Sequence, residues 1–90
     1  MTIGQSLEVS YRHGKALAAY LHLPSTSDDY AATSREAGPG LVVDFAADGR
    51  PIGVEIVSPS IVTLEAINEV LISLNQRAID KEELAPLLAG

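Results

Sequence analysis

The sequence predicts an α+β fold: a small, mostly antiparallel β-sheet of four or five strands, built from hairpins, with one longer C-terminal helix packed on one face and a short terminal helix. Apolar residues alternate with period two before Ser58-Pro59-Ser60 and recur at helical spacing after it. The chain of 90 residues suits one domain. We therefore expect a single domain (1–90), with a sheet region at 1–57 that contains a loop at 24–40, and a helical region at 61–90.

The first two strands flank a predicted turn at His13-Gly14-Lys15, where glycine accepts the positive φ of a tight connection. Polar and apolar residues alternate from Leu7 to Arg12, which predicts a strand with one buried face. Ala16–Leu23 forms the second predicted strand. Residues 25–40 are rich in Ser, Thr, Asp, Gly and Pro and predict a loop with a short edge strand around 32–36.

The clearest local pattern is a hairpin around Asp48-Gly49. A two-residue loop there would pair three couples of apolar residues, namely Phe45 with Ile52, Val43 with Val54, and Leu41 with Ile56. All six side chains would then lie on one face of the sheet, which is the face we expect to be buried.

Two helices follow the sheet. Apolar residues at three- and four-residue steps after Thr63, a suitable N-cap, predict a helix from about Thr63 to Gln76. Asp80 and Glu83 have the spacing of a capping box, which predicts a second helix that ends near residues 86–90.

Composition excludes several classes of function. Six Lys and Arg against twelve Asp and Glu give a net charge of −6 without a basic stripe, which disfavours direct binding to nucleic acid or to an anionic membrane. The chain has no cysteine, no apolar run of membrane-spanning length and no signal-peptide pattern, so we expect a cytoplasmic location. Recognisable phosphate-loop, hydrolase, zinc-protease and calcium-loop motifs are missing. The sequence favours a non-enzymatic protein without cofactor or metal.

Strand parity places Tyr20, His22, Asp44 and Glu55 on the sheet face opposite the predicted core. A cluster of ionisable side chains on one face is a candidate ligand-binding site. The alternative is an ordinary solvated sheet face. We expect no catalytic residue among them and no shared metal.

More apolar residues remain outside the predicted core than a small monomer needs to expose, among them Val42, Val57 and Ile72. They suggest an interface, most simply with another copy of the chain. Alternatively, the strand order or a loop covers them.

The segment Gly40–Ser60, preceded by Ala19-Tyr20-Leu21-His22-Leu23, resembles the small bacterial family called domain of unknown function 2283 (DUF2283). The Asp-Gly hairpin followed by Gly53-Val54-Glu55-Ile56 carries most of the resemblance. Acidic residues usual in that family are replaced here around Lys15-Ala16 and at Ala46. The resemblance implies a small antiparallel sheet with a helix, and some members are similar to proteins encoded beside toxin-like partners.

These observations favour an uncharacterised, non-enzymatic binding or interaction protein that forms a homodimer. A first alternative is an acidic antitoxin-like module that neutralises a basic protein partner. A second is a small-ligand binder or minor enzyme that uses the outer sheet face.

Overall fold

A five-stranded antiparallel sheet forms the centre of the protein. A computed structural model describes residues 2–3, 5–26 and 29–88. The strands and helices of this part are β1 (Thr2–Ile3), β2 (Ser6–Arg12), β3 (Lys15–His22), β4 (Ser25–Thr26), β5 (Thr33–Gly38), β6 (Leu41–Phe45), β7 (Pro51–Ile56), α1 (Leu64–Ser73) and α2 (Lys81–Leu88). Residues 27–28 of the predicted loop and residues 89–90 at the predicted end of the second helix lie outside the described residues.

The strand order in the sheet is β2-β3-β7-β6-β5, and every neighbouring pair is antiparallel. The two-residue strands β1 and β4 pair separately. The predicted α+β class with an antiparallel sheet is confirmed. β5 lies in the segment predicted mainly as a loop and forms one edge of the sheet, while β2 forms the other.

Of the three residue pairs predicted between β6 and β7, two are correct and the third is wrong. Leu41 pairs with Ile56 and Val43 with Val54, but Phe45 pairs with Pro51 instead of Ile52. The ladder shifts because the connection is longer than Asp48-Gly49. The Ala46 N–H donates to the Arg50 carbonyl oxygen at 2.8 Å, and the Gly49 N–H donates to the Ala46 carbonyl oxygen at 2.9 Å. Proline has no N–H for the ladder, so a bulge at this strand end costs little.

Helix α1 begins where predicted and ends earlier. The Thr63 hydroxyl accepts a hydrogen bond from the Ala66 N–H at 3.1 Å. The chain then leaves the helix after Leu74, because Asn75 adopts a left-handed conformation with φ 60°. The Gln76 N–H bonds to the Leu71 carbonyl oxygen and the Asn75 N–H to that of Ile72, which is a Schellman ending. With 10 residues, α1 is shorter than the helix predicted from about Thr63 to Gln76, and it differs little in length from α2, which has 8 residues.

Helix α2 begins with the predicted capping box. The Asp80 carboxylate accepts from the Glu83 N–H at 2.8 Å, and the Glu83 carboxylate accepts from the Asp80 N–H at 3.1 Å. The Asn68 side chain ties α1 to this region, because its amide donates to the Ile79 carbonyl oxygen and its oxygen accepts from the Ile79 N–H.

One buried cluster joins both helices to one face of the sheet. Its members are Ala19, Leu21, Leu23, Leu41, Val43, Val54, Ile56, Ile67, Val70, Leu71, Ile79, Leu84 and Leu87. Since helix and strand residues share this cluster, both helices pack against the same sheet face. Among the described residues, no helix has the length and apolar character needed to cross a membrane.

Candidate functional site

The outer face is the sheet face opposite the helices, defined by Tyr20, His22, Asp44, Gly53 and Glu55. The register pairs Tyr20 with Glu55 and places Gly53 between His22 and Asp44. The structure therefore brings the four predicted ligand-binding residues together on one face, across the neighbouring strands β3, β7 and β6.

Gly53 makes the contact between β3 and β6 possible. A Cβ atom built on Gly53 would overlap the hydroxyl oxygen and the Cζ atom of Tyr20. The phenol ring therefore crosses β7 over the bare backbone of Gly53. Its hydroxyl donates to the Asp44 Oδ2 at 3.0 Å.

Asp44 is the acceptor at the centre of the outer face. Its side chain is buried, and its second oxygen accepts a hydrogen bond from the Ser34 hydroxyl of β5 at 2.6 Å. Ser34 pairs with Asp44 in the β5–β6 ladder. Both carboxylate oxygens of Asp44 are thus hydrogen-bonded, as expected for a buried acid.

The two acids of the outer face influence each other. Burial, the charge of Asp44 and a hydrogen bond with Asp44 raise the pKa of Glu55 above its ordinary value. Burial, the hydrogen bond to Asp44 and the charges of Asp44 and Glu55 also raise the pKa of Tyr20. The phenol therefore keeps its proton and acts as a donor to Asp44.

His22 extends the network toward the edge strand β2. Its ring packs edge-on against Tyr20, with 4.8 Å between ring centroids and 68° between planes. Its Nε2 atom contacts the carboxylate of Glu8 on β2.

Sequence reasoning missed Ser34, Glu8 and Gly53. Gly53 carried a signal, because glycine inside a strand often marks a close approach of other groups. Ser34 lies in a polar edge strand without apolar alternation, so its register could not be predicted.

On the outer face, Tyr20 and Ser34 each donate a hydrogen bond to Asp44. In the described part of the chain, no group of three or more His, Asp or Glu side chains could hold a metal. Beside Tyr20 lies an open hollow of about 210 Å³, lined by Glu8, Ser10, Ala18, Glu55 and Val57 among others.

A family model described as Protein of unknown function (DUF2283) matches residues 18–60 of the chain. Residues 18–60 belong to this family. The DUF2283 segment contains Tyr20, Asp44, Gly53 and Glu55, so the tyrosine–aspartate contact and its glycine lie within it. No curated protein and no solved structure matches the chain.

The three predicted interface residues do not lie together. Val42 pairs with Glu55 inside the DUF2283 segment, and Val57 lines the hollow of the outer face with half of its surface exposed. Ile72 is exposed on α1, which packs on the opposite side of the sheet. The structure therefore separates Ile72 from Val42 and Val57.

Replacing Glu55 by glutamine is expected to stabilise the protein at pH 7 by less than about 1 kcal/mol, because the group is only partly shielded from water. A raised folded-state pKa means that the folded protein binds the proton more tightly than the unfolded chain does. The stability that tighter proton binding contributes is fully present below the ordinary pKa of 4.5 and is lost as the pH rises through the folded-state pKa. Urea unfolding should show that the free energy of unfolding of the wild type falls as the pH rises through this range, and that the fall is smaller in Glu55→Gln.

The matched control is Glu69→Gln, at an exposed position on α1. It should keep the wild-type pH dependence. Parallel stability curves for wild type and Glu55→Gln would contradict the raised pKa of Glu55.

Proposed function

We propose that this chain is a small non-enzymatic binding protein that pairs with a second copy of itself through the outer face. The observation that carries the proposal is the one-sided packing of the sheet. Both helices pack in the core on one face of the sheet. On the other face, polar side chains hydrogen-bond to Asp44, and the apolar side chains of Val42 and Val57 lie beside them.

The available area supports a weak dimer. A five-stranded sheet with strands about 4.8 Å apart and about 20 Å long offers roughly 500 Å² per copy. Two such faces bury roughly 1,000 Å², which is the lower limit for a specific interface. The dimer should therefore dissociate on dilution.

The acidic charge of the outer face distinguishes the proposed dimer from a complex with a basic protein, because the two respond differently to salt. Two copies would bring Glu8, Asp44 and Glu55 near their counterparts, so salt should screen the repulsion and strengthen the dimer. An acidic antitoxin-like module bound to a basic protein would respond in the opposite direction, since salt weakens attraction between opposite charges.

Val57→Glu is expected to weaken self-association at least tenfold, because it adds a charge to the apolar part of the outer face. Sedimentation of the variant over a concentration series measures the effect. The matched control is Ile72→Glu, which makes the same kind of change at another exposed apolar residue, on the opposite side of the sheet. Equal weakening by both variants, or no weakening by Val57→Glu, would contradict the proposed face.

A further inference from the structure

Asp48 and Gly49 lie at the tip of the connection between β6 and β7. Asp48 is the one aspartate or asparagine of the chain that glycine follows. Gly49 adopts a positive φ of 91°, which a residue with a side chain rarely adopts. A Cβ atom at Gly49 would meet nothing within 4 Å in the described part of the chain beyond its sequence neighbours. The tip is therefore held by its own hydrogen bonds and not by packing.

An aspartate followed by glycine can rearrange without any other reactant than water. The backbone nitrogen of the glycine attacks the Cγ atom of the aspartate and closes an imide ring, while the carboxyl OH leaves with the proton of the nitrogen as water. Water then opens the ring. When it cleaves the bond between the nitrogen and the main-chain carbonyl carbon, the chain runs through Cγ. The product is isoaspartate, which has the same composition and one more backbone atom.

Arg50 engages both oxygens of the Asp48 carboxylate. Its Nε atom donates to Oδ2 at 2.7 Å, and its backbone N–H donates to Oδ1 at 3.1 Å. These bonds and the positive charge of Arg50 lower the pKa of the Asp48 carboxyl, so the OH that must leave is rarely present. The nitrogen that must attack is also engaged, because the Gly49 N–H donates to the Ala46 carbonyl oxygen. Both reacting groups are therefore restrained in the folded chain.

Asp29 anchors the arginine. The Nη2 atom of Arg50 donates to Oδ1 of Asp29 at 2.7 Å, and Nη1 donates to Oδ2 at 3.3 Å. The side chain of Asp29 is 11% exposed, whereas those of Arg50 and Asp48 are 51% and 57% exposed. Solvent and salt screen a shielded partner less than an exposed one. The guanidinium is therefore held from the side of Asp29, and the exposed Asp48 is restrained through it.

We propose that Asp48 is a modification site at which this chain converts slowly to isoaspartate, and that Arg50 and its anchor Asp29 set the rate by holding the Asp48 carboxylate. The extra backbone atom would lengthen the connection between β6 and β7. It would disturb the two hydrogen bonds that close this connection, from Ala46 to Arg50 and from Gly49 to Ala46. The modification does not depend on self-association.

Ageing of the purified protein in neutral buffer tests the proposal. Isoaspartate is counted by methyl transfer from S-adenosylmethionine with protein isoaspartate methyltransferase, and electron-transfer fragmentation of the peptides locates it. We expect it at residue 48 of the folded wild type, and about two- to fivefold faster formation in Arg50→Gln, the range for loss of a partly exposed ion pair. Isoaspartate that forms at residue 48 only in urea would overturn the site. Equal rates in wild type and Arg50→Gln would overturn the role of the arginine.

Three further variants separate the contact with Asp48 from a general loss of stability. Arg77→Gln removes a similar ion pair, with Glu83, and should age at the wild-type rate. Leu71→Ala weakens the core far along the chain from residue 48 and should also age at nearly that rate. Arg50→Lys keeps a positive charge without the planar guanidinium and should age at a rate between wild type and Arg50→Gln. A rate in Leu71→Ala or Arg77→Gln that equals the rate in Arg50→Gln would overturn the proposal.

Discussion

Gly53→Ala is expected to lower the free energy of unfolding by about 2 kcal/mol. The new methyl group would occupy the place of the Tyr20 hydroxyl, so the ring must swing away from β7. The hydrogen bond from Tyr20 to Asp44 is then lost, so one oxygen of a buried carboxylate loses its donor while the Ser34 hydroxyl still donates to the other. This cost exceeds the roughly 0.5–1 kcal/mol that alanine gains over glycine within a strand. Urea unfolding measures the difference.

The control is a double-mutant cycle with Tyr20→Ala, which removes the ring that the methyl group would strike. In that background, Gly53→Ala should be neutral or stabilising. An equal loss of stability in both backgrounds would show that the glycine serves some purpose other than the passage of Tyr20.

Leu71→Ala is expected to cost about 3 kcal/mol, because the side chain is fully buried where α1 meets the sheet. A chain of 90 residues is stable by only about 5–13 kcal/mol, so the variant should unfold at a clearly lower urea concentration. Circular dichroism during urea titration measures the shift.

Ile72→Ala makes a matched comparison at the next residue of the same helix. Ile72 is 64% exposed, and the substitution should change stability by less than about 0.5 kcal/mol. Similar losses for both variants would contradict the packing of α1 on the sheet.

Much of the sheet could be predicted from the sequence because one of its faces is buried. Leu41, Val43, Val54 and Ile56 lie on the buried face, and a shift by one residue would turn them all away from the core. The predicted register is therefore correct at Leu41–Ile56 and Val43–Val54. It failed at Phe45, where turn geometry and Pro51 determine the pairing and apolar alternation carries no information.

The end of α1 also could not be predicted from apolar spacing. Apolar spacing continues to Leu74, but the backbone of Asn75 stops the helix by adopting a positive φ. Asparagine is a known residue for this position, so the signal was present and was outweighed by the apolar pattern.

The composition of the outer face could be predicted, but its contacts could not. Alternation alone placed Tyr20, His22, Asp44 and Glu55 on one side. The contact from Tyr20 to Asp44 depends on β7 lying between β3 and β6, and this strand order joins strands that are not consecutive in the chain. A local pattern contains no information about such an order.

Sedimentation equilibrium of the unmodified protein tests the proposed self-association most directly. The protein would be studied up to about 1 mM, a range that detects weak dimers, at about 0.05 M and about 0.5 M NaCl, where the screening lengths differ about threefold. We predict a monomer–dimer equilibrium whose association constant increases with salt. A single species with the mass of the monomer at every concentration and both salt levels would contradict the proposal.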